Sequence, residues 1–364
     1  MRLAIDASRT TVARVTGTER YALEMIRALI RLNTADDITL YFRDAPPVDH
    51  ILVTPQVHYR VLPFPRLWTH LRFAAELWRT RPDLTWVPAH ALPALFPGRA
   101  AVTVHDLGYR LFPDAHPPLQ RLYLDLTTRA SAARASVVLA DSQATADDLT
   151  RFYGTPASKI RVVYPGVDAP PIGDVDAVRR KYGLPERYFL FLGTLQPRKN
   201  IARIVQAFAR WRSAHSDDPT ALVLAGGRGW LYDPAWTAGV DGVILPGYVD
   251  EVDKGALYAG ALALVFPSLY EGFGFPALEA MHCGTPVICS RTSSLPELAG
   301  DAALLVDPLD VEAIAGAMGR LSDDETLRAA LRSRGYDQAK KFTWDAAARA
   351  ALRAFDEDGD VHHN

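Results

Sequence analysis

Glu271-Gly-Phe-Gly-Phe-Pro-Ala-Leu-Glu279 sets two carboxylates around a pair of glycines and a proline. The apolar run Leu262 to Phe266 before it reads as a buried parallel strand, and Pro276 suits the first turn of a helix that Gly284 can stop. Gly272 and Gly274 let backbone approach a ligand with no Cβ in the way. The start of such a helix presents unpaired N–H groups and partial positive charge, which makes an anion site together with the amides of Phe273 and Gly274. Carboxylates are poor neighbours for phosphate, so the chemistry open to Glu271 and Glu279 is accepting hydrogen bonds from hydroxyls. A diphosphate with polyols at both ends, a nucleotide sugar, meets all of these demands. A plain strand–glycine loop–helix unit, with glutamates that only complement the helix dipole, is the alternative.

Three further groups bear on chemistry. In Gly193-Thr-Leu-Gln-Pro-Arg-Lys-Asn200, Arg198 and Lys199 precede an amphipathic helix, Ile201 to Phe208. Two cations at a helix start oppose the helix dipole unless an anion sits there, a local conflict of the kind expected at functional sites. His105-Asp106 ends the strand Ala101 to Val104, either as an active-site pair or as a satisfied structural histidine. Gly17, in Thr16-Gly-Thr-Glu19, lies between a first strand (Leu3 to Ile5) and a helix from Arg20 to Asn33, at the sheet rim where α/β ligands bind; a plain turn is the alternative. Gly226-Gly-Arg-Gly229 lacks the full dinucleotide fingerprint.

The Glu271-to-Glu279 spacing resembles the E-x7-E motif of retaining GT-B glycosyltransferases of family 4. Gly193 to Asn200 resembles that family's phosphate-binding segment and Thr103-Val-His-Asp-Leu107 its N-domain motif. Ser268 to Gly274 and Ser294-Leu-Pro-Glu297 resemble the mannosyltransferase-type branch. The resemblance covers nearly the whole chain and is strongest from Val162 to Asp307. It implies an α/β, GT-B architecture, two Rossmann-like doubly wound parallel-sheet domains facing across a cleft. It implies that Gly193, Thr194, Gly272, Phe273, Gly274, Arg198 and Lys199 hold the donor diphosphate, and that Glu271 takes hydroxyls of the transferred sugar. Glu279 then takes the ribose diol, Tyr248 and Val249 offer backbone groups to the base, and Gly17 closes over the donor phosphate or the acceptor. His105 would touch the sugar, with Asp106 in support. Retention by front-face attack follows, the leaving phosphate taking the acceptor's proton; an inverting route would need Asp106 or Glu19 as base. GDP-mannose is the first-choice donor, with UDP-glucose or dTDP-rhamnose next, and a glycan, lipid-linked or small-molecule acceptor. The alternative classes are a non-catalytic nucleotide-sugar-binding module and an epimerase or phosphorylase on the same scaffold.

Arg198, Lys199 and a helix dipole could offset the charge growing on the diphosphate without a divalent ion. Asp174-Val-Asp176 and Asp358-Gly-Asp360 are the D-x-D strings a metal-dependent transferase would want, but one sits against a linker and the other in the tail. Neither metal nor cofactor is therefore expected. At 364 residues the chain suits two domains. The boundaries expected are 1–168, a Pro/Gly-rich linker 169–184, a nucleotide-sugar domain 185–343, a helix 344–356 that crosses back onto the first domain, and a polar tail 357–364 whose His362-His363 carries no metal role. A net charge of −2 gives no field for nucleic acid. Two cysteines, Cys283 and Cys289, an N-terminus unlike a signal peptide and no run long enough to span a bilayer point to the cytoplasm. The basic amphipathic helix Arg66 to Arg79 either covers a sheet or touches the inner face of a membrane.

Overall fold

The structure, a computed structural model, describes residues 1–12, 16–32, 37–47, 50–51, 54–89, 91–115 and 117–361, the side chains of 115 and 358–361 excepted. Contacts divide the chain into two compact units. The first holds 1–111, 117–166 and 342–364, and the second holds 112–116 and 167–341.

The first unit is a parallel sheet of β1 (Arg2–Asp6), β2 (Asp37–Phe42), β3 (Val57–Val61), β4 (Leu84–Val87), β5 (Arg99–Val104), β6 (Val137–Ala140) and β7 (Ile160–Val162), in the order β3-β2-β1-β4-β5-β6-β7. The second is a parallel sheet of β8 (Tyr188–Leu192), β9 (Ala221–Ala225), β10 (Val243–Gly247), β11 (Ala263–Phe266), β12 (Val287–Ser290) and β13 (Ala303–Val306), in the order β10-β9-β8-β11-β12-β13. The strands expected at Leu3 to Ile5, Ala101 to Val104 and Leu262 to Phe266 are present as β1, β5 and β11. β4, β6, β8, β9, β11 and β12 are buried at every residue, as parallel strands covered by helices on both faces must be. Strand order reverses between β1 and β4, paired Leu3 to Leu84, and between β8 and β11, paired Leu190 to Leu264. Outside the carboxyl ends of such a pair, α/β sheets form their ligand crevice.

Several helices depart from expectation. Arg66 to Arg79 is not one helix. Leu67 has φ 54, outside the helical region, and the chain then makes a π-helical turn, Thr69–Phe73, before an α-helix, Ala74–Thr80. Gly17 is not in a loop but opens the helix Gly17–Leu32; Asn33 lies outside the described residues. A further helix, Pro118–Arg134, begins with proline in its first turn. Within the segment expected as a linker, Val175–Tyr182 is a helix. The last helix runs Trp344–Val361, through most of the expected tail; Asp356 to Val361 contains no proline to stop it. His362 and His363 lie outside the described residues. The helix packs on the first unit through Phe355 against Trp86, Trp344 against Tyr21, and an ion pair of Asp345 with Arg31 at 2.7 Å.

The loops after β8 and β9 meet backbone to backbone. Gly226, at φ +136, lies so close that a Cβ there would sit 2.0 Å from the Gly193 carbonyl oxygen, whereas a Cβ at Gly227 would meet nothing within 4 Å. Gly226→Ala should lower the midpoint of the second unit's thermal transition by about 5 °C or more, from the roughly 1–3 kcal/mol of an overpacked site. Gly227→Ala should stay within about 2 °C of the parent. Calorimetry of both variants checks the pair, and equal midpoints would contradict the close approach.

Candidate active site

In the second unit, the loops after β8 and β11 flank the point where strand order reverses. Gly193 follows β8, its N–H donating to the Ala225 carbonyl at 3.0 Å. The loop then makes a short 3-10 turn, Pro197–Lys199, and Asn200 enters the helix Ile201–Ala214 from the left-handed region at φ 64. Asparagine tolerates that conformation better than most residues. Its buried side-chain amide donates to the Pro267 carbonyl at 2.9 Å and the Pro308 carbonyl at 2.6 Å. The Leu269 N–H also donates to the Arg198 carbonyl at 2.9 Å. Arg198 and Lys199 are therefore fixed to the end of β11 by backbone, before their side chains make any contact.

Those side chains converge on one carboxylate. Lys199 Nζ lies 2.5 Å from Glu271 Oε1 and 5.0 Å from the centre of the Phe266 ring. Arg198 Nη1 donates to the Tyr270 carbonyl at 3.2 Å and lies 3.9 Å from Glu271 Oε2. All three charged groups are at least four-fifths buried. Two cations thus face one carboxylate across the loops. Ser293 Oγ accepts from the Glu271 N–H at 3.1 Å, and Ser294 Oγ donates to the Glu271 carbonyl at 3.0 Å and to the Phe273 carbonyl. Together they hold the segment Glu271-Gly-Phe-Gly274 in shape. Gly274, at φ +127, packs where a Cβ would lie 2.7 Å from Leu295 Cδ2. It leads into the helix Phe275–His282, in whose first turn Pro276 has no N–H and the Ala277 N–H donates to the Gly274 carbonyl at 3.1 Å.

Glu279 is buried on that helix and accepts from the Tyr258 hydroxyl at 3.0 Å. Burial and the neighbouring Glu279 together push the Tyr258 phenol well up, so it is a permanent donor. Tyr248 and Val249 follow β10, on the same rim but two strands from β8; Tyr248 is exposed and Val249 buried. Thr194 packs against Gly229, where a Cβ would lie 2.5 Å from Thr194 Cγ2.

In the first unit, His105 follows β5. Its Nδ1 is 2.7 Å from Asp141 Oδ2 and its Nε2 is 2.9 Å from the Pro88 carbonyl oxygen. A ring with protons on both nitrogens can donate to both, and this surrounding favours that form. Burial alone would lower the His105 pKa, but the charge and hydrogen bond of Asp141 outweigh it and raise it. Tyr21 meets the ring edge-on at 4.8 Å. The Asp106 carboxylate accepts from the Gly108 N–H at 2.7 Å, closing a local turn. Glu19 completes a capping box by accepting from the Thr16 N–H at 3.0 Å, and faces Arg9 at 3.7 Å. Asp6, Arg9, Glu19, Pro88, Tyr123 and Thr127 help to line a cavity of about 210 Å³ at the β1/β4 reversal.

Sequence reading did not single out Asp141 or Asp6. Both follow the rule that drew attention to His105, a polar residue at the carboxyl end of a buried strand. It also paired Arg198 and Lys199 with a ligand anion alone, whereas Glu271 already stands between them. The string Asp174-Val-Asp176 is a helix cap, Asp174 accepting from the Asp176 and Ala177 amides.

The chain matches the family models described as Glycosyltransferase Family 4, over residues 15–169, and Glycosyl transferases group 1, over 174–338. It is 33% identical to O-antigen chain mannosyltransferase B of Escherichia coli, over 94% of this chain and 96% of that one. Among solved structures it is similar to sucrose-phosphate synthase from Thermosynechococcus elongatus, with TM-score 0.75 at 23% identity over 99% and 100% of the two chains. It is also similar to Anabaena Alr3699/HepE in complex with UDP and glucose, with TM-score 0.71 at 17% identity over 97% and 98%. At these identities the two structures show a shared fold.

The raised His105 pKa has a signed consequence. Stability from its pairing with Asp141 is fully present below the ordinary value of 6.5 and is lost as pH rises through the higher folded value. The thermal midpoint should therefore fall as pH is raised above 6.5. Asp141→Asn should remove that descending limb and lower the midpoint below pH 6.5, by the equivalent of about 1–3 kcal/mol. A pH series of melting curves on both proteins tests this, and parallel curves would count against the ion pair.

Proposed function

The chain belongs to glycosyltransferase family 4 and has the GT-B fold, and on that premise we propose that it transfers mannose from GDP-mannose to a glycan acceptor with retention of anomeric configuration and without a metal ion. That it is a glycosyltransferase using a nucleotide sugar is carried by the family. The choice of mannose rests on the likeness to a mannosyltransferase along nearly the full length of both chains.

One observation bears most of the mechanism, the Arg198–Glu271–Lys199 cluster where the β8 and β11 loops meet. Transfer breaks the bond between the anomeric carbon and a phosphate oxygen and forms a bond from that carbon to the acceptor oxygen. The acceptor's proton passes to the departing phosphate. Charge grows on the diphosphate as the old bond lengthens, and donors already fixed in place lower that barrier most. Arg198, Lys199, the Gly272-to-Gly274 loop and the start of the helix Phe275–His282 are such donors. Glu271 holds the cations in position and offers acceptor lone pairs to hydroxyls of the sugar; Glu279, held by Tyr258, takes the ribose diol.

Engagement of the groups that an inverting route would need as base supports retention. The His105 ring is engaged at both nitrogens, the Asp106 carboxylate is tied to Gly108, and Glu19 to Thr16. The capping duty of Asp174 removes it as a metal ligand. The cavity beside Asp6 and Glu19 suits acceptor hydroxyls, because carboxylates accept from them. No helix among the described residues is long and apolar enough to cross a membrane, and the two buried free thiols fit a reducing compartment such as the cytoplasm.

Arg198→Ala and Lys199→Ala should each lower kcat/KM for donor turnover by roughly 10²-fold or more. GDP-mannose should raise the parent's melting temperature more than UDP-glucose or dTDP-rhamnose does. Donor-induced stabilisation with no transfer to any glycan would favour a binding module, and wild-type turnover in both variants would remove the phosphate assignment. Activity should survive EDTA, and NMR of the product should show the donor's own anomeric configuration; rescue by manganese or an inverted anomer would refute those parts separately.

A further inference from the structure

The helix Pro118–Arg134 is built inside out. Thr128, Ser131 and Ala132 face the core, while Leu119, Leu122 and Leu126 stand 82%, 54% and 57% exposed along one outer stripe with Tyr123. The inward Ser131 Oγ donates to the Thr127 carbonyl at 2.7 Å and accepts from the Leu92 N–H at 2.9 Å. A second outer stripe runs beside it. From the segment that leaves the helical region at Leu67, residues Trp68, Phe73 and Leu77 turn inward, and Leu67, Leu71 and Trp78 stay 60%, 52% and 49% exposed. His70 Nε2 lies 3.3 Å from the Tyr123 hydroxyl, so the two stripes form one surface.

Charge is distributed just as unevenly. Between Arg60 and Arg81 there are five arginines and one glutamate, and in Pro118–Arg134 three arginines and one aspartate. These segments carry +4 and +2, a sum of +6 in a chain whose net charge is −2. Both carboxylates are already engaged. Glu76 is buried against Arg72 and Arg79, and Asp125 accepts from Arg110 and Tyr153. Outward, then, the surface shows leucines, a tryptophan and a tyrosine among arginines.

We propose that the outer faces of Leu67–Trp78 and the helix Pro118–Arg134 together dock on an anionic lipid bilayer, the leucines entering the acyl boundary and the arginines meeting phosphate headgroups. Charge complementarity selects this occupant. A second copy of the chain would bring one strongly basic surface against another across a two-fold axis, which like-charge repulsion opposes. The proposal is independent of which sugar is moved. It differs from a basic amphipathic helix at Arg66 to Arg79 in placing most of the apolar contact on another element.

The test is flotation of the full-length protein with phosphatidylcholine vesicles, with and without phosphatidylglycerol. The parent should float with the anionic vesicles, at least about tenfold more than with the neutral ones, and molar salt should reverse it. Leu119→Ser/Leu122→Ser/Leu126→Ser and, separately, Arg66→Glu/Arg129→Glu should each reduce flotation by about tenfold or more. Both should keep the parent's melting temperature and its transfer rate to a soluble acceptor, because the changed residues are exposed. Sedimentation of the parent with both kinds of vesicle would overturn the proposal, as would undiminished flotation of either variant. Equal flotation with neutral vesicles would overturn its charge component. A dimer in light scattering that the triple serine variant dissolves would assign the surface to a second copy instead.

Discussion

Everything in the second unit turns on one electrostatic cluster, two cations and one carboxylate gathered where the β8 and β11 loops meet. Charges this far out of water are destabilising unless they are paired and hydrogen-bonded. Arg198 and Lys199 also stand before a helix whose dipole disfavours them. Glu271 answers part of that conflict, and it can do so only because the backbone brings it there. The Asn200 side chain clamps the ends of two other loops, and Ser293 and Ser294 hold the Glu271 segment by its main chain. The placing of these charges is thus a consequence of how the sheet is wound. An anion beside the two cations would act on the same charges that hold the loops together.

The first unit solves a different problem with the same topology. His105, Asp141, Asp6 and the Pro88 carbonyl all lie at carboxyl ends of parallel strands or just beyond them. Here the charge balance closes locally, with the His105 ring between a carboxylate and a carbonyl. A closed pair of this kind fixes a side chain and the strand ends around it, and it has little tendency to move protons. The chemistry therefore divides between the units. One gathers two cations at a carboxylate where a diphosphate can meet them, and the other carries carboxylates beside a cavity of the sort hydroxyls can enter.

How much of this could be read in the sequence depends on how local the cause is. A buried parallel strand is a continuous apolar run whatever surrounds it, so the strands from Leu3 to Val306 were legible from β-rich runs alone. The Glu271-to-Glu279 stretch was legible because glycine, proline and glutamate at those spacings each restrict backbone or charge on their own. Asp141 was not singled out, because its meaning depends on a histidine 36 residues away, brought beside it by the pairing of β5 with β6. The break at Leu67 was illegible for a related reason. Its residue types suit a helix, whereas the φ of 54 at Leu67 goes with tertiary packing, Trp68 and Phe73 stacking in the core just after it. The last helix ran past Phe355 because Asp and Glu mark a solvated surface without stopping a helix.

The inside-out helix shows what a periodicity argument leaves undetermined. Leucines at Leu119, Leu122 and Leu126 define a stripe, and a stripe ordinarily faces a core. Which side of a helix is the core side is settled by what else the sheet must accommodate. Here the residues turned inward are Thr128, Ser131 and Ala132. The larger residues are then left outside, where burial in something other than this chain is the remaining way to remove them from water. The cavity at the β1/β4 reversal draws its lining from the same two segments, through Thr69 on one and Tyr123, Leu124 and Thr127 on the other. On the proposed docking, that shared lining sets the cavity with its Asp6 and Glu19 carboxylates beside the surface that meets the bilayer, so one placement of two short stretches of chain serves both.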